Sequence, residues 1–186
     1  MSALATQKLL RAEDFFALPE PLDGSKRELI RGEVMTMPAP RLEHGEIQVN
    51  VAFLIKMFLK ANRIGRVFTE SGTVTERDPD TVRGPDVSYY SRERLPLEQR
   101  VVKYHTQSPD LCVEVLSPSN TRRQIDAKLR EYFFAGVREV WVIDPEDRSI
   151  TIFREPLEGR LYKEGATFDG GDVLPGFKCP VAELFA

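Results

Sequence analysis

Apolar residues recur every three or four positions in two long stretches of the chain, and this spacing predicts two helices. The first runs from about 44 to 61 and the second from about 120 to 135. Ser119 or Asn120 is the expected N-cap of the second helix, and Gly136 lies just past its end. The apolar stripe of the first helix is formed by Ile47, Val51, Leu54, Ile55 and Phe58.

Shorter apolar runs bounded by turn residues predict strands. In chain order these are a hairpin in KRELIRGEVMTMP, two segments or one bent strand in RVFTESGTVTER, then PDVSYY, PDLCVEV, EVWVID, and a second hairpin in SITIFR and RLYKEG. Short helical turns are expected in AEDFF and VAELF. Because a helix separates PDLCVEV from EVWVID, the two strands are predicted to pair in parallel. The fold class is therefore α/β, with β-hairpins at its margins.

Length and composition restrict the class of protein. At 186 residues and 41% hydrophobic content, the chain is predicted to form one domain, residues 1–186. The formal charge of −3 provides no overall basic field for nucleic acid. No apolar run approaches the ~20 residues that span a bilayer, so a soluble, cytoplasmic protein without membrane contact is expected. Cys112 and Cys179 lack metal-site spacing and are predicted to be reduced thiols.

One carboxylate stands in the middle of an apolar strand. In LCVEV, Leu111 and Val113 share one face, whereas Cys112 and Glu114 share the other. An ionised carboxylate on a covered face costs several kcal/mol unless a partner compensates it. Glu114 therefore predicts a cation nearby.

The helix that follows supplies a candidate cation in Lys128. From Asn120 to Lys128 the helix rises about 12 Å, and Glu114 lies about 10 Å back from Ser117 along the strand. Lys128 is thus expected level with Glu114. The alternative is that Lys128 is an ordinary surface lysine and that Glu114 lies at a solvent-exposed end of its strand.

A second carboxylate, Asp86, opens a strand after Pro85. The dipeptide Pro-Asp is by itself a weak signal. Asp86, however, is followed along the chain by Glu114 on a predicted strand and then by Lys128 on a predicted helix. Two carboxylates on neighbouring strands repel unless a cation lies between them. Oxygen ligands without Cys or His donors suit Mg²⁺ or Mn²⁺, which can activate water and neutralise a phosphoryl group.

These residues resemble the Uma-type putative restriction endonuclease family of the PD-(D/E)XK phosphodiesterase superfamily. The resemblance is most specific in PDLCVEVLSPSNTRRQIDAKLREYFFAGVREVWVIDPE and extends to EDFFALPEP, RELIRGEVMTMPAP, His44, VRGPDVSYY and LPGFKCPVAELF. It implies a restriction endonuclease-like mixed sheet flanked by helices, and a metal-dependent endonuclease acting on DNA. It also implies that Asp86, Glu114 and the backbone carbonyl of Val115 bind Mg²⁺ or Mn²⁺.

The chain departs from the superfamily motif at the catalytic lysine, because Leu116 stands where that lysine is expected. Related families carry the lysine on the following helix, which would make it Lys128. The resemblance also offers His44 and Glu46 as further site residues, of which His44 matches better, although a plain helix-start role is the alternative. Glu28 and Glu33 match the family and could line the same cleft.

Basic residues cluster on both sides of Glu114 and are candidates for phosphate contacts. They are Arg92, Arg94, Arg100 and Lys103 before it, and Arg122, Arg123, Lys128 and Arg130 after it. Acidic residues interleave with them, which is also typical of a solvated surface. DNA is the expected partner, with low sequence specificity.

Three functions fit these patterns. The first is a metal-dependent deoxyribonuclease, with a homodimer to cut both strands. The second is an inactive nuclease fold that binds nucleic acid or a protein. The third is a hydrolase of smaller phosphate esters.

Overall fold

Three sheets and two long helices form the part of the chain that this computed structural model describes, residues 9–101 and 105–186. The helices are α1 (Ala12–Phe16), α2 (Leu42–Asn62) and α3 (Arg122–Phe134), followed by a C-terminal 3₁₀ helix (Val181–Phe185). The strands are β1 (Lys26–Ile30), β2 (Glu33–Met37), β3 (Gly65–Thr69), β4 (Thr73–Glu76), β5 (Thr81–Arg83), β6 (Val87–Ser91), β7 (Leu111–Val115), β8 (Glu139–Asp144), β9 (Ser149–Glu155), β10 (Glu158–Lys163), β11 (Thr167–Gly170) and β12 (Leu174–Pro180).

The central sheet has the order β10-β9-β8-β7-β6-β3. Strands β7 and β8 pair in parallel, and the other neighbours pair antiparallel. Helix α3 makes the connection between the parallel strands, as the order of apolar patterns predicted. The mixed α/β fold expected from the sequence is therefore confirmed.

The two faces of β7 are covered by different elements. Leu111, Val113 and Val115 pack in a core shared with α2 and the β11–β12 hairpin. Cys112 lies on the opposite face, in a smaller core with Leu129 and other residues of α3. The predicted division of the strand into two covered faces is confirmed, and Glu114 lies on the α3 side.

The N-terminal sheet, of order β2-β1-β5-β4, brings the chain to the functional region. Its β1–β2 hairpin turns at Arg31 and Gly32, with φ angles of 50° and 83°. Two successive positive φ angles are typical of a type I′ turn, which glycine favours at its second position. The chain leaves this sheet at Arg83 and enters the central sheet at Val87, so Asp86 lies at the crossing.

The segment RVFTESGTVTER forms two strands, which confirms one of its two predicted alternatives, and these strands, β3 and β4, belong to different sheets. Three strands differ from the sequence prediction. Strands β5, β11 and β12 were not predicted, because β5 has three residues and the other two carry glycine or proline.

Both cysteines are buried free thiols. No helix in residues 9–101 and 105–186 is long and apolar enough to cross a membrane.

The N-cap of α3 is Thr121, and the prediction of Ser119 or Asn120 was wrong. The Thr121 hydroxyl accepts a hydrogen bond from the Gln124 backbone N–H at 3.3 Å, and the Gln124 side chain accepts from the Thr121 backbone N–H at 2.8 Å. Asn120 instead accepts from the Ser117 N–H at 2.8 Å. The reciprocal capping box with Gln124 therefore fixes the start of the helix.

Replacing Thr121 by alanine removes one half of this capping box. We expect Thr121→Ala to lower the free energy of unfolding by about 1 kcal/mol, as measured by urea denaturation. Ser119→Ala is the matched control, since the Ser119 hydroxyl contacts the Ser117 hydroxyl and caps no helix. Equal losses in the two variants would contradict the assigned cap.

Candidate active site

A cavity of about 670 Å³ lies where the two parallel strands of the central sheet end. Its wall includes the loops that follow those strands, residues 116–120 and 144–146, together with residues 37–41 after the N-terminal hairpin. The charged residues that line it are Lys26, Arg41, Glu43, His44, Glu70, Asp86, Glu114, Lys128, Asp144 and Glu146. Lys26, His44, Glu70, Asp86, Glu114 and Lys128 are joined in ion pairs there.

Asp86, directly before β6, and Glu114 of β7 face this cavity side by side. Val87 of β6 pairs with Val113 of β7, and continuing the antiparallel register places Asp86 opposite Glu114. Asp86 is 3% exposed and Glu114 is 7% exposed. Two nearly buried carboxylates therefore meet at one site, in the arrangement the sequence predicted.

Three groups hold the Asp86 carboxylate. Its Oδ1 lies 3.0 Å from Lys26 Nζ and 3.2 Å from His44 Nε2, and its Oδ2 accepts from the Val115 N–H at 2.7 Å. Burial alone would raise the pKa of Asp86, but these partners outweigh it and lower the pKa below its ordinary value. The bond to Asp86 in turn raises the pKa of His44. Asp86 is therefore ionised at neutral pH.

Glu114 is held by two residues of α3. Its Oε2 lies 2.7 Å from Lys128 Nζ, and its Oε1 accepts a hydrogen bond from the Tyr132 hydroxyl at 2.5 Å. The expectation that Lys128 lies level with Glu114 is thus confirmed, and the alternative of a free surface lysine is excluded. Burial raises the pKa of Glu114 despite the ammonium beside it. Burial also raises the pKa of Tyr132, which keeps its hydroxyl a donor.

A third buried carboxylate, Glu28 of β1, extends the network behind Lys128. Glu28 Oε1 lies 3.4 Å from Lys128 Nζ, and Oε2 lies 2.7 Å from Arg83 Nη1. Arg83 continues to Glu131 of α3, with Nη2 2.8 Å from Oε1. Burial would lower the pKa of Lys128, but the Glu114 and Glu28 carboxylates outweigh it and raise the pKa. The network joins the N-terminal sheet to α3 and fixes the position of Lys128.

Negative charge exceeds permanent positive charge in this cluster. The carboxylates are Asp86, Glu114, Glu28, Glu70 and Glu131, and the permanent cations are Lys26, Lys128 and Arg83. A deficit of positive charge beside two buried oxygen donors fits a divalent cation such as Mg²⁺. No cluster of three or more His, Cys, Asp or Glu side chains is arranged as a metal site in the described ranges. Asp86 and Glu114 would therefore need backbone, water or substrate oxygens as further ligands.

The other predicted site residues are divided by the structure. His44 contacts Asp86, and Glu28 lies behind the cavity as described above. Glu46 and Glu33 are exposed and are not among the residues lining the cavity. The backbone N–H of Val115 binds Asp86, while a metal-binding role for its carbonyl stays a prediction.

The predicted phosphate-binding cations also separate into groups. Arg94 is occupied internally, because it lies 3.1 Å from Asp110 and donates to the carbonyls of Ser108 and Pro109. Lys103 lies outside the described residues. The exposed cations are Arg92, Arg100, Arg122, Arg123 and Arg130.

Sequence patterns did not reveal Lys26, Glu70 or Gln48 as members of the site. The Gln48 side-chain amide donates to the Asp86 carbonyl at 2.9 Å and to Glu70 Oε1 at 3.0 Å. Gln48 lies one turn after His44 on α2, and this spacing could have indicated that both side chains face the site. Lys26 lies two residues before Glu28 on one strand, and this spacing could have indicated that the two share a face.

Comparisons with known proteins identify the family and the fold of the chain. The model of the Uma2 family, described as "Putative restriction endonuclease", matches residues 12–182. The chain is also similar to a solved structure from Anabaena variabilis ATCC 29413, described as a putative nuclease belonging to DUF820. That similarity has a TM-score of 0.80 at 24% identity and covers 95% of this chain and 97% of the other, so it establishes the fold. No curated protein matches the chain.

The Arg83 network should make a large contribution to stability. Arg83→Met leaves Glu28 and Glu131 without their shared cation, and we expect a loss of about 3 kcal/mol in the free energy of unfolding. Arg122→Met is the control, since its pair with Asp126 is on the surface and should leave stability nearly unchanged. A small effect at Arg83, measured by urea denaturation, would show that the network is not a structural link.

The bond between His44 and Asp86 predicts a pH-dependent contribution to stability. Because folding raises the pKa of His44, its contribution is complete below the ordinary pKa of 6.5 and is lost as pH rises through the folded value. We therefore expect His44→Gln to cost more stability at pH 5.5 than at pH 9 in urea denaturation. The same substitution in an Asp86→Asn background should show no such difference between the two pH values.

Proposed function

Because the chain belongs to the Uma2 family of putative restriction endonucleases, we propose that it is a metal-dependent endonuclease that hydrolyses DNA phosphodiester bonds. The observation that carries this proposal is the meeting of two nearly buried carboxylates, Asp86 and Glu114, at a cavity with Lys128 beside one of them. A purely structural pair of carboxylates would not need to face a cavity.

Asp86 and Glu114 are the residues that would hold Mg²⁺ or Mn²⁺, with the carbonyl of Val115 as a third oxygen donor. When bound, such an ion activates water and neutralises charge on the phosphoryl group. Asp86 keeps its Oδ2 fixed through the Val115 N–H, and His44 restrains Oδ1. Tyr132 fixes Glu114 from behind. Both carboxylates are thus oriented before any ligand arrives, which reduces the cost of ordering them.

Lys128 is the residue we assign to the attacking water. Its ammonium is held between Glu114 and Glu28, and its side chain retains contact with the cavity. In this position it can donate a hydrogen bond to the water or to a phosphoryl oxygen as negative charge develops. The carboxylates beside it keep it charged, so it acts as a donor and not as a base.

DNA would be held by contacts to its phosphates. The exposed arginines of α3 and of the segment before β7 supply positive charge despite the negative protein. Contacts of this kind carry no sequence information, so low specificity is expected. A homodimer would provide two sites for the two strands.

A second candidate function is binding without catalysis. It is favoured by the ion pairs themselves, because Lys26 and Lys128 already compensate the two carboxylates. In that case the cluster would be a structural link between the two sheets and α3.

Cleavage of plasmid DNA distinguishes these functions. We expect wild-type protein with Mg²⁺ or Mn²⁺ to nick supercoiled plasmid, and Asp86→Asn, Glu114→Gln and Lys128→Met each to reduce the rate at least about 100-fold. Glu155→Gln, an exposed change on β9, is the matched control and should cut normally. Intact plasmid with wild type under every metal and salt tried, or equal cutting by all variants, would contradict the proposal.

A further inference from the structure

A second lysine enters the cavity from the N-terminal hairpin. Lys26 is the first residue of β1, and its Nζ lies 3.0 Å from Asp86 Oδ1 and 2.9 Å from Glu70 Oε2. Its side chain is 21% exposed and lines the cavity. The site therefore has one lysine on each of its two buried carboxylates, Lys26 on Asp86 and Lys128 on Glu114.

The two lysines are held in different ways. Lys128 lies between two nearly buried carboxylates, Glu114 and Glu28, and Glu28 is itself fixed by Arg83. Lys26 has one buried partner, Asp86, and one partner, Glu70, whose side chain is 41% exposed. Lys26 can therefore leave its partners at lower cost, because Glu70 can be solvated by water once the ammonium moves.

The backbone leaves room for the stem of Lys26. A Cβ on Gly84 would lie 3.2 Å from the Lys26 Cε, which is a tight contact. The Gly84 N–H also donates to Glu28 at 3.2 Å. The glycine thus allows the stem to lie against the crossing between the two sheets, with the flexible end of the side chain toward the cavity.

We propose that Lys26 is a phosphate-binding lysine of the active site. When Asp86 binds a divalent cation, the Lys26 ammonium would move away from Asp86 and pair with a phosphate oxygen of DNA. This inference rests on the proposed function. It assigns the N-terminal hairpin a direct part in substrate binding.

Repulsion between positive charges around Asp86 is the reason why Lys26 would change its partner. Asp86 Oδ1 already has two neighbours that can carry positive charge, Lys26 and His44. With a divalent cation on the same carboxylate, the Lys26 ammonium is repelled from its present position, and a phosphate entering the cavity offers it a new anionic partner. Lysine suits this exchange, since its compact charge lies on a flexible four-carbon stem. Binding of the cation and binding of DNA are then coupled through Lys26, each favouring the other.

Salt dependence of DNA binding tests this transfer without requiring cleavage. A labelled duplex is titrated with protein at several salt concentrations, with and without Ca²⁺, and gels confirm that the DNA stays uncut. One phosphate contact changes the slope of log affinity against log salt by about 0.9. In Ca²⁺, we expect the salt slope of Lys26→Met to be smaller in magnitude than that of wild type by about 0.9. Without Ca²⁺, the two slopes should be equal.

Two variants control this titration. Lys60→Met removes an exposed lysine of α2, about 24 Å along the helix from His44, and should match wild type in both conditions. Lys26→Arg keeps the charge and should retain most of the slope. Equal slopes for wild type and Lys26→Met in Ca²⁺, an equal deficit without Ca²⁺, or no binding of DNA by wild type would overturn the inference.

Binding of Mn²⁺ without DNA provides a second readout. Because Lys26→Met removes a cation that competes for Asp86, it should bind Mn²⁺ several-fold more tightly than wild type in calorimetry. Unchanged or weaker binding would instead show that Lys26 serves to support Asp86. If wild type never cuts DNA but has a larger salt slope than Lys26→Met only in Ca²⁺, the proposed function is overturned and this inference is supported. If wild type cuts DNA but its slope equals that of Lys26→Met, the proposed function is supported and this inference is overturned.

Discussion

Burial of two carboxylates at the ends of adjacent strands is the constraint on which the rest of this structure depends. Asp86 and Glu114 lose most of their contact with water, and ionised groups in that position must be compensated by charge and hydrogen bonds. Apart from the Val115 N–H of β7, the compensation comes from outside the two strands: Lys26 from the N-terminal hairpin, His44 from α2, and Lys128 with Tyr132 from α3. The site therefore determines how three separate elements pack on the central sheet.

The same requirement explains why the ion pairs form a connected network. Lys128 is shared between Glu114 and Glu28, and Arg83 is shared between Glu28 and Glu131. Sharing reduces the number of cations that must be buried, but it also leaves the cluster short of positive charge. That shortage has a cost for stability in the free protein, and it is the property that would favour a divalent cation. Under the proposed function, stability of the free protein and metal binding would thus be opposed at this site.

Much of the fold and part of the site followed from sequence because the relevant distances are local. Glu114, the link at Ser117 and Lys128 are consecutive along a strand and a helix, so residue spacing converts directly into length. Lys26 could not be placed in this way, since its position depends on how the hairpin lies against the central sheet, and its partner Asp86 is 60 residues later in the chain. The cap of α3 was also ambiguous, because Ser119, Asn120 and Thr121 are all good N-cap residues and only the pairing with Gln124 distinguishes them.

The position of Asp86 connects these observations. It lies three residues after Arg83, where the chain passes from the N-terminal sheet to the central sheet, so its backbone belongs to neither ladder. Its carbonyl accepts hydrogen bonds from the Gln48 side-chain amide and the Glu70 backbone N–H, and its carboxylate is held by Lys26, His44 and the Val115 backbone N–H. A residue held by backbone and side-chain groups from several elements is oriented more firmly than one on a free loop. Under the proposed exchange, the Asp86 carboxylate would keep its other partners and stay in place while a divalent cation replaced Lys26 beside it.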